Sequence, residues 1–397
     1  MLTVNDVMTE PRSRLADLIT IVILFLMATG AVMVFSAGAN LSHEFDLRRV
    51  YEFPGLRQIL FFPVAVIVLF AASVPDYRRW AFRSRWYKWP VLWVLVLAVV
   101  LLIVVLVPQL GTEINRARRW LRIPLGPVSV SFQPSELAKW TTVFFLAGAC
   151  ARLGSGIRRY WRRFLPLCGV IGLVCGLVVI EDFGTAAFIA LISFLMLIAA
   201  GVKWWHLLTL LPVGVAGFVA ALFHSPHRLV RLAAFLSPER WSDSVAYQAN
   251  QSLIAIGSGG LWGKGIGQGT SKYGHLPEDT TDFIFAIVGE ELGFVGTVGV
   301  LVLFILFVVL GLALVLRCRD RFGRLLAAGI VLTISVQAAL NIGVVTVVLP
   351  TKGIPLPFIS AGGTSMLLSS AAVGVLLNIA ACRGPAEGSI SVALGET

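Results

Sequence analysis

Long unbroken runs of apolar residues, not the alternating or 3.6-residue patterns of a soluble core, dominate this chain. A helix rises about 1.5 Å per residue, so roughly 20 apolar residues cross a hydrocarbon layer about 30 Å thick. Runs of that order fall at about 18–37, 57–74, 89–107 and 134–151. The stretch 164–201 is too long for one crossing and carries Glu181-Asp182-Phe183-Gly184 at its centre. It reads as two helices joined by a tight outer turn. A seventh run covers 205–223, a long polar loop occupies 224–281, and further runs cover about 282–316, 325–349 and 360–382. The expected fold is an all-α polytopic membrane protein of about ten transmembrane helices. It forms one membrane domain over 1–397: a lead at 1–17, spans one to seven over 18–223, the loop 224–281, spans eight to ten over 282–382, and a tail at 383–397. Ala37-Gly38-Ala39 resembles a signal-peptidase site. The apolar run before it is about 19 residues, longer than a secretory h-region, so it reads as a retained first helix.

Composition agrees. The 397 residues are 57% hydrophobic and 13% charged, against about 25% charged in soluble proteins. The net charge is +11, but the basic residues sit in short clusters between apolar runs. Lipid head groups and topology account for that pattern better than nucleic acid does. Clusters at Arg78–Lys88, Arg152–Arg163 and Arg317–Arg324 alternate along the chain as cytoplasmic loops should. Both termini are then cytoplasmic, and the loop 224–281 is extracytoplasmic. The five cysteines show no metal-ligand spacing and no disulfide framework.

Against this background a few polar groups stand out. Glu278, Asp279 and Asp282 sit where the long loop enters span eight, with Glu290 and Glu291 deeper. An ionisable group at membrane depth costs several kcal/mol and points to function. Arg116, Arg118, Arg119 and Arg122 break the charge rule, lying between spans three and four on the outer face. Arginine pairs well with phosphate, so a pyrophosphate ligand at the outer leaflet accounts for them, as do plain solvated charges. Glu136 and Lys139 share a face of span four; they read either as a packing ion pair or as a cavity wall presenting Lys139 to a phosphate. Glu181-Asp182 reads chiefly as an exposed turn with Asp182 capping the next helix. Gln337 and Asn341, four apart, read as interhelical hydrogen-bonding groups. The Pro- and Gly-rich segment 349–365 reads as a re-entrant turn beside a cavity or a short surface hairpin. In the re-entrant reading Lys352 is a second cation for an anionic ligand, with Ser360 nearby. Gly257–Gly269, with Gln248 and Gln251, is either a loop whose backbone approaches a ligand closely or a solvated loop; Trp241 and Trp262 read chiefly as interfacial anchors. No H-E-x-x-H, G-x-S-x-G or Walker motif occurs.

The blocks QPSELAK (133–139), YQANQSLIAIGSGG (247–260), LPEDTTDFIFAIVGEELGFVG (276–296) and PTKGIPLPFISAGGTS (350–365) resemble the SEDS family, whose members include FtsW, RodA and SpoVE. The PTKG block is most similar to the division branch, FtsW. The resemblance implies a peptidoglycan glycosyltransferase at the outer face of the cytoplasmic membrane. Its substrate would be lipid II, a disaccharide-pentapeptide on undecaprenyl pyrophosphate. Its partners would be a class B penicillin-binding protein and other division proteins at the septum. The family's essential acid falls on Asp282, and the lysine of its QPxELxK block on Lys139. Ala361 and Thr364 depart from the family's S-Y-G-G-S-S, Ile180-Glu181-Asp182 from its Q-P-D, and Asp279-Thr280 from its Ala-His. In the implied chemistry Asp282 is general base on the acceptor 4-hydroxyl. Arg116, Arg118, Arg119, Lys139 and Lys352 are candidate phosphate partners, with Glu136, Glu278, Gln248, Gln251 and Ser360 as further substrate contacts. No metal site is expected in the protein; a divalent cation such as Mg2+ is the one cofactor the pyrophosphate leaves room for. A lipid II flippase, an elongation polymerase of the RodA type and a non-catalytic division scaffold are the alternatives. Carboxylates gathered toward the outer face favour the enzyme over a transporter, which needs a site reachable from both sides.

Overall fold

Helices form where the apolar runs lie, because in lipid each backbone N–H and C=O must be satisfied within its own segment. The computed structural model describes residues 12–38, 54–82, 89–114, 117–125, 128–223, 226–237, 247–273, 276 and 278–381. The helices are α1 (Arg12–Gly38), α2 (Pro54–Ser73), α3 (Pro90–Leu106), α4 (Pro134–Leu153), α5 (Leu165–Val179), α6 (Phe183–Ala199), α7 (Trp204–Leu208) and α8 (Leu210–Phe223). The long loop contributes α9 (Pro226–Leu236) and α10 (Tyr247–Ser258), followed by α11 (Ile284–Arg317), α12 (Arg321–Val345) and α13 (Gly363–Ala381). Each expected apolar run therefore coincides with a helix, or in one case with the pair α7–α8. Among the described residues six helical stretches are long and apolar enough to cross a membrane: Arg14–Ala37, Gly55–Ser73, Tyr160–Val179, Ile284–Arg317, Arg321–Val345 and Gly363–Ala381. Shorter apolar helices cover Pro90–Leu106, Phe183–Ala199 and Trp204–Gly217.

The packing has two centres. α13 lies along α2 and α1, while α4 is enclosed by α3, α6 and α12. Enclosure explains why α4 can carry Ser135, Glu136, Lys139, Thr141 and Thr142 in buried positions. Side chains that face outward from the other helices, such as Phe25, Ile67, Leu97 and Leu312, are apolar and exposed, as a lipid-facing surface requires.

The helical expectation omitted one element. Between α3 and α4 the chain forms a three-stranded antiparallel sheet: β1 (Gly111–Ile114), β2 (Ala117–Leu125) and β3 (Val128–Phe132). Leu121 pairs with Phe132 and Ile123 with Val130. The alternation Val-Ser-Val-Ser-Phe over 128–132 is a period-2 strand signal, lost among the longer apolar runs.

The second surprise is in α11. Gly293 has φ 67° and ψ −162°, so the helix breaks there. The loop that follows α10 repairs the gap. Lys264 and Gly265 N–H donate to the carbonyls of Glu290 and Glu291, and Phe294 and Val295 N–H donate to those of Gly260 and Leu261. A Cβ on Gly293 would lie 2.3 Å from the Gly263 nitrogen, so only glycine admits this approach.

Side chains lock the insertion. Glu290 accepts from Lys264 Nζ at 2.7 Å and Thr270 N–H at 2.9 Å. Glu291 accepts from Ser36 Oγ at 2.6 Å, Gly267 N–H at 3.1 Å and Lys272 Nζ at 3.0 Å. Lys272 also donates to the carbonyls of Gly267 and Ser36. Both members of the Lys272–Glu291 pair are fully buried. Removing one partner of such a pair typically costs about 3–5 kcal/mol, because the other is left charged and unpaired. Thermal unfolding in detergent should therefore show Glu291→Leu or Lys272→Met strongly destabilised. The double variant should recover much of that loss; if it is no better than the worse single variant, the pair is not what holds the loop.

Candidate active site

The second irregular segment, 346–362, returns the chain from α12 to α13 next to the start of α11. Two polar side chains of α12 organise it. Asn341 Nδ2 donates to the carbonyls of Asp282 and Ile354, both at 2.8 Å. Gln337 Nε2 donates to the Pro355 carbonyl at 2.9 Å, while Gln337 Oε1 accepts from Lys139 Nζ at 2.9 Å. Ser360 Oγ donates to the Thr281 carbonyl and accepts from Leu356 N–H, and Ala361 N–H donates to the Thr280 carbonyl. Asn341, Ser360 and Ala361 thus hold 280–282 against the re-entrant loop from several sides.

Asp282 lies just ahead of α11, half-buried. Its Oδ2 would be 2.9 Å from a Cβ placed on Gly353, so any larger residue there would press on the carboxylate. Burial pushes its carboxyl up to about 7, the negative charges of Glu278 and Asp182 push the same way, and Arg119 and Arg231 oppose them. Asp279 is raised to about 6, again mainly by burial and then by Glu278. Glu278 has φ 58°, a left-handed conformation that costs a non-glycine residue of order 1 kcal/mol. Its carboxylate accepts from Thr281 Oγ1 at 2.9 Å.

The cations approach from two sides. Arg119 Nε donates to the Glu181 carbonyl at 3.0 Å, and its Nη1 lies 3.7 Å from Asp182 Oδ2. Arg118 N–H donates to Glu181 Oε2 at 2.7 Å, and Arg118 Nε lies 3.4 Å from Glu113. With Ser135, Asp182 and apolar side chains of α3 and α5, among them Leu102 and Leu177, these arginines line a small pocket of about 20 Å³. On the other side Lys352 stands over the Phe183 ring at 5.1 Å. Burial lowers its pKa, and Asp182 partly offsets that. Lys352 heads an apolar groove of about 140 Å³ lined by Phe188, Leu191, Leu340, Val344 and Ile354.

The expected site residues divide accordingly. Asp282, Glu278, Arg119 and Lys352 come together with Arg118 at the edge. Lys139 does not reach this opening. It is buried, paired with Glu136 at 2.7 Å, bonded to Gln337, and lies between the Trp140 and Phe188 rings. Of its two expected roles, the packing ion pair is the one its surroundings match. Ser360 is likewise occupied by backbone ties. Gln248 and Gln251 are half-buried on α10, and the glycine loop beyond them is bound to Glu290 and Glu291. Arg116 and Trp241 lie outside the described residues, and Trp262 is exposed.

Sequence reasoning passed over two contributors. Asp182 does cap α6, accepting from Thr185 N–H at 3.0 Å and Thr185 Oγ1 at 2.8 Å. It is nevertheless buried and acts on both Asp282 and Lys352; an aspartate before Gly-Thr looks like a cap whether or not it has a second task. Arg231, on α9, had no motif to mark it. Among the described residues no three His, Cys, Asp or Glu side chains form a group that could hold a metal ion.

A bundle of long apolar helices, with Asp282, Arg119 and Lys352 gathered at one end, defines a polytopic membrane protein. The chain belongs to the FtsW/RodA/SpoVE family, described as cell cycle proteins, whose profile matches residues 16–384. It is 36% identical to stage V sporulation protein E of Bacillus subtilis, over 94% of this chain and 98% of that one. It is also 36% identical to the probable peptidoglycan glycosyltransferase FtsW of Trichlorobacter lovleyi, over 93% and 94%. Among solved structures it is similar to the rod shape determining protein RodA of Thermus thermophilus, with TM-score 0.63, 28% identity and coverage of 91% and 95%. It is also similar to a chain of a peptidoglycan synthase complex that coordinates polymerization and crosslinking, with TM-score 0.70, 27% identity and coverage of 91% and 96%.

The electrostatics can be read directly. Glu278→Gln removes a negative charge that favours the protonated form of Asp282, so the Asp282 carboxyl should titrate at lower pH. Arg119→Gln should move it upward. Difference infrared spectroscopy of the carboxyl band, with Asp282→Asn to identify it, checks both directions; shifts of the opposite sign would refute this account of the site.

Proposed function

We propose that this chain is a peptidoglycan glycosyltransferase that polymerises lipid II at the outer face of the cytoplasmic membrane during septal wall synthesis. The observation that carries the reading is Asp282: a carboxylate with its pKa near the working pH, flanked by cations on two sides. The names of the similar proteins, FtsW among them, support the same activity.

Extension of a glycan requires a sugar hydroxyl to attack an anomeric carbon that carries pyrophosphate. Asp282 takes the proton of the acceptor 4-hydroxyl as the new C–O bond forms, and the anomeric C–O bond breaks with its electron pair leaving on the pyrophosphate. A base whose pKa lies near operating pH is well matched to this step. Arg119 and Lys352 offset the charge on the departing pyrophosphate, with Arg118 at the pocket's edge. The apolar groove below Lys352 suits the polyprenyl tail, which places the phosphates of a bound lipid at the lysine. Glu136, Lys139, Gln337 and Asn341 act from behind, by holding the loop that carries Lys352 and the backbone of Asp282. A class B penicillin-binding protein is the partner this reading calls for, in keeping with the similarity to a chain of a complex that couples polymerization to crosslinking.

Asp282→Asn preserves size and removes the base. Purified protein, alone and with its transpeptidase, should lose about 10²-fold or more of its polymerisation rate on labelled lipid II. The parental rate should rise with pH and level off above about 7, because the carboxyl is the base only when deprotonated. Parental rates from the Asn variant would remove the role. Redistribution of lipid II across vesicles without strand formation would show a transporter instead, and neither activity would leave a scaffold.

A further inference from the structure

At the end of the bundle opposite Asp282, the turn between α4 and α5 and the turn between α6 and α8 meet. The chain passes from α4 through a 3-10 turn (Gly154–Arg158) into a single π-helical turn (Tyr160–Phe164) before α5. In the π turn Arg163 and Phe164 N–H both donate to the Arg159 carbonyl. Isolated π turns are uncommon and concentrate at functional positions. This one is packed against α7: the Tyr160 and Phe164 rings each lie 5.2 Å from the His206 ring, and Tyr160 Oη donates to Thr209 Oγ1.

The geometry displays two kinds of side chain side by side. Arg158, Arg159 and Arg162 are exposed, Arg163 half-buried and Lys203 exposed. None of the ion pairs formed among the described residues uses these five cations. No acidic residue occurs from Arg152 to Ile180 or from Ala199 to Phe223. By contrast, the basic turns near Arg78 and Arg321 contain Asp76 and Asp320. Among the cations stand three tryptophans, Trp161, Trp204 and Trp205, with 76%, 66% and 76% of their surface exposed. Indoles so exposed are favourable at the head-group level of a bilayer, where one edge is wet and the ring is not. The apolar, outward faces of α5 and α8 continue from the same corner, through Leu165 and Leu173 on one and Leu211 and Val213 on the other.

We propose that this corner is a binding surface for the anionic head groups of membrane phospholipids. The five cations supply the charge, the tryptophans set the depth, and α5 and α8 receive the acyl chains. By the positive-inside rule the leaflet is the cytoplasmic one. The π turn matters because it gathers Arg159, Arg162 and Arg163 within one turn, next to Lys203. This proposal does not depend on the reaction at Asp282, so either can fail without the other.

The test is lipid retention by the purified full-length protein, read by native mass spectrometry with phosphatidylglycerol and phosphatidylcholine of identical acyl chains. The parental protein should retain phosphatidylglycerol in preference. Arg159→Gln/Arg162→Gln/Arg163→Gln/Lys203→Gln should lose that preference by at least about tenfold, since each cation near a charged lipid surface contributes about fivefold. Replacing the three arginines by lysine should keep most of it. Arg78→Gln/Arg79→Gln, on a different turn, should leave it unchanged. Should the quadruple variant fail to purify, exchanging the parental protein into about 0.5 M salt should reduce the preference in the same way, by screening. No preference in the parental protein, a preference that survives the four substitutions or the salt, or an equal loss in the Arg78/Arg79 control would each overturn the proposal.

Discussion

Hydrocarbon offers no hydrogen bonds, and that constraint shapes both places where this chain leaves the helix inside the bundle. Irregular backbone survives at such depth only where protein supplies the missing partners. For the loop after α10 the partners are the carbonyls and carboxylates of Glu290 and Glu291. For the re-entrant loop before α13 they are the amide groups of Gln337 and Asn341 and the hydroxyl of Ser360. Buried polar residues that look costly one by one are the means by which two non-helical segments are kept at fixed positions.

The site follows from this arrangement. Asn341 holds Asp282 by its backbone carbonyl, and among the described residues no hydrogen bond or ion pair ties its carboxylate. Its side chain is left to respond to charge: Glu278 and Asp182 on one account, Arg119 and Arg231 on the other. A carboxylate locked in a salt bridge would be a poor base; one crowded by other carboxylates and shielded from water is held near the point of proton exchange. Lys139, although carried by a residue block of the same family, serves from further back, as one link from Glu136 through Gln337 to the loop bearing Lys352.

Much of this was legible in the residues. The apolar runs located the membrane helices because a spanning helix needs length and little else. Asp282, Glu278, Arg119 and Lys352 could be singled out because charge is rare in such a chain. What escaped notice shares one cause: the signal was local and weak against strong surroundings. The strand alternation over 128–132 spans five residues. Asp182 carries a cap signature that hides its second role. Gln337 and Asn341 were legible as hydrogen-bonding groups, yet their partners are mostly backbone carbonyls of loops, which spacing along a helix cannot reveal. The break at Gly293 has no proline to announce it, and it depends on a loop that begins about 30 residues earlier.

That break divides α11 into mechanically separate pieces. The first piece, Ile284–Leu292, is buried against the loop and carries the acid's neighbourhood at its tip. The rod beyond Phe294 presents a long apolar flank, through Val302, Ile305, Leu312 and Leu316, to the membrane. A rigid helix would deliver any tilt of that flank straight to Asp282. Here the strain of a tilt is divided between the helix axis and four backbone bonds to the inserted loop, so bending of the rod reaches the acid only as far as those bonds stay intact.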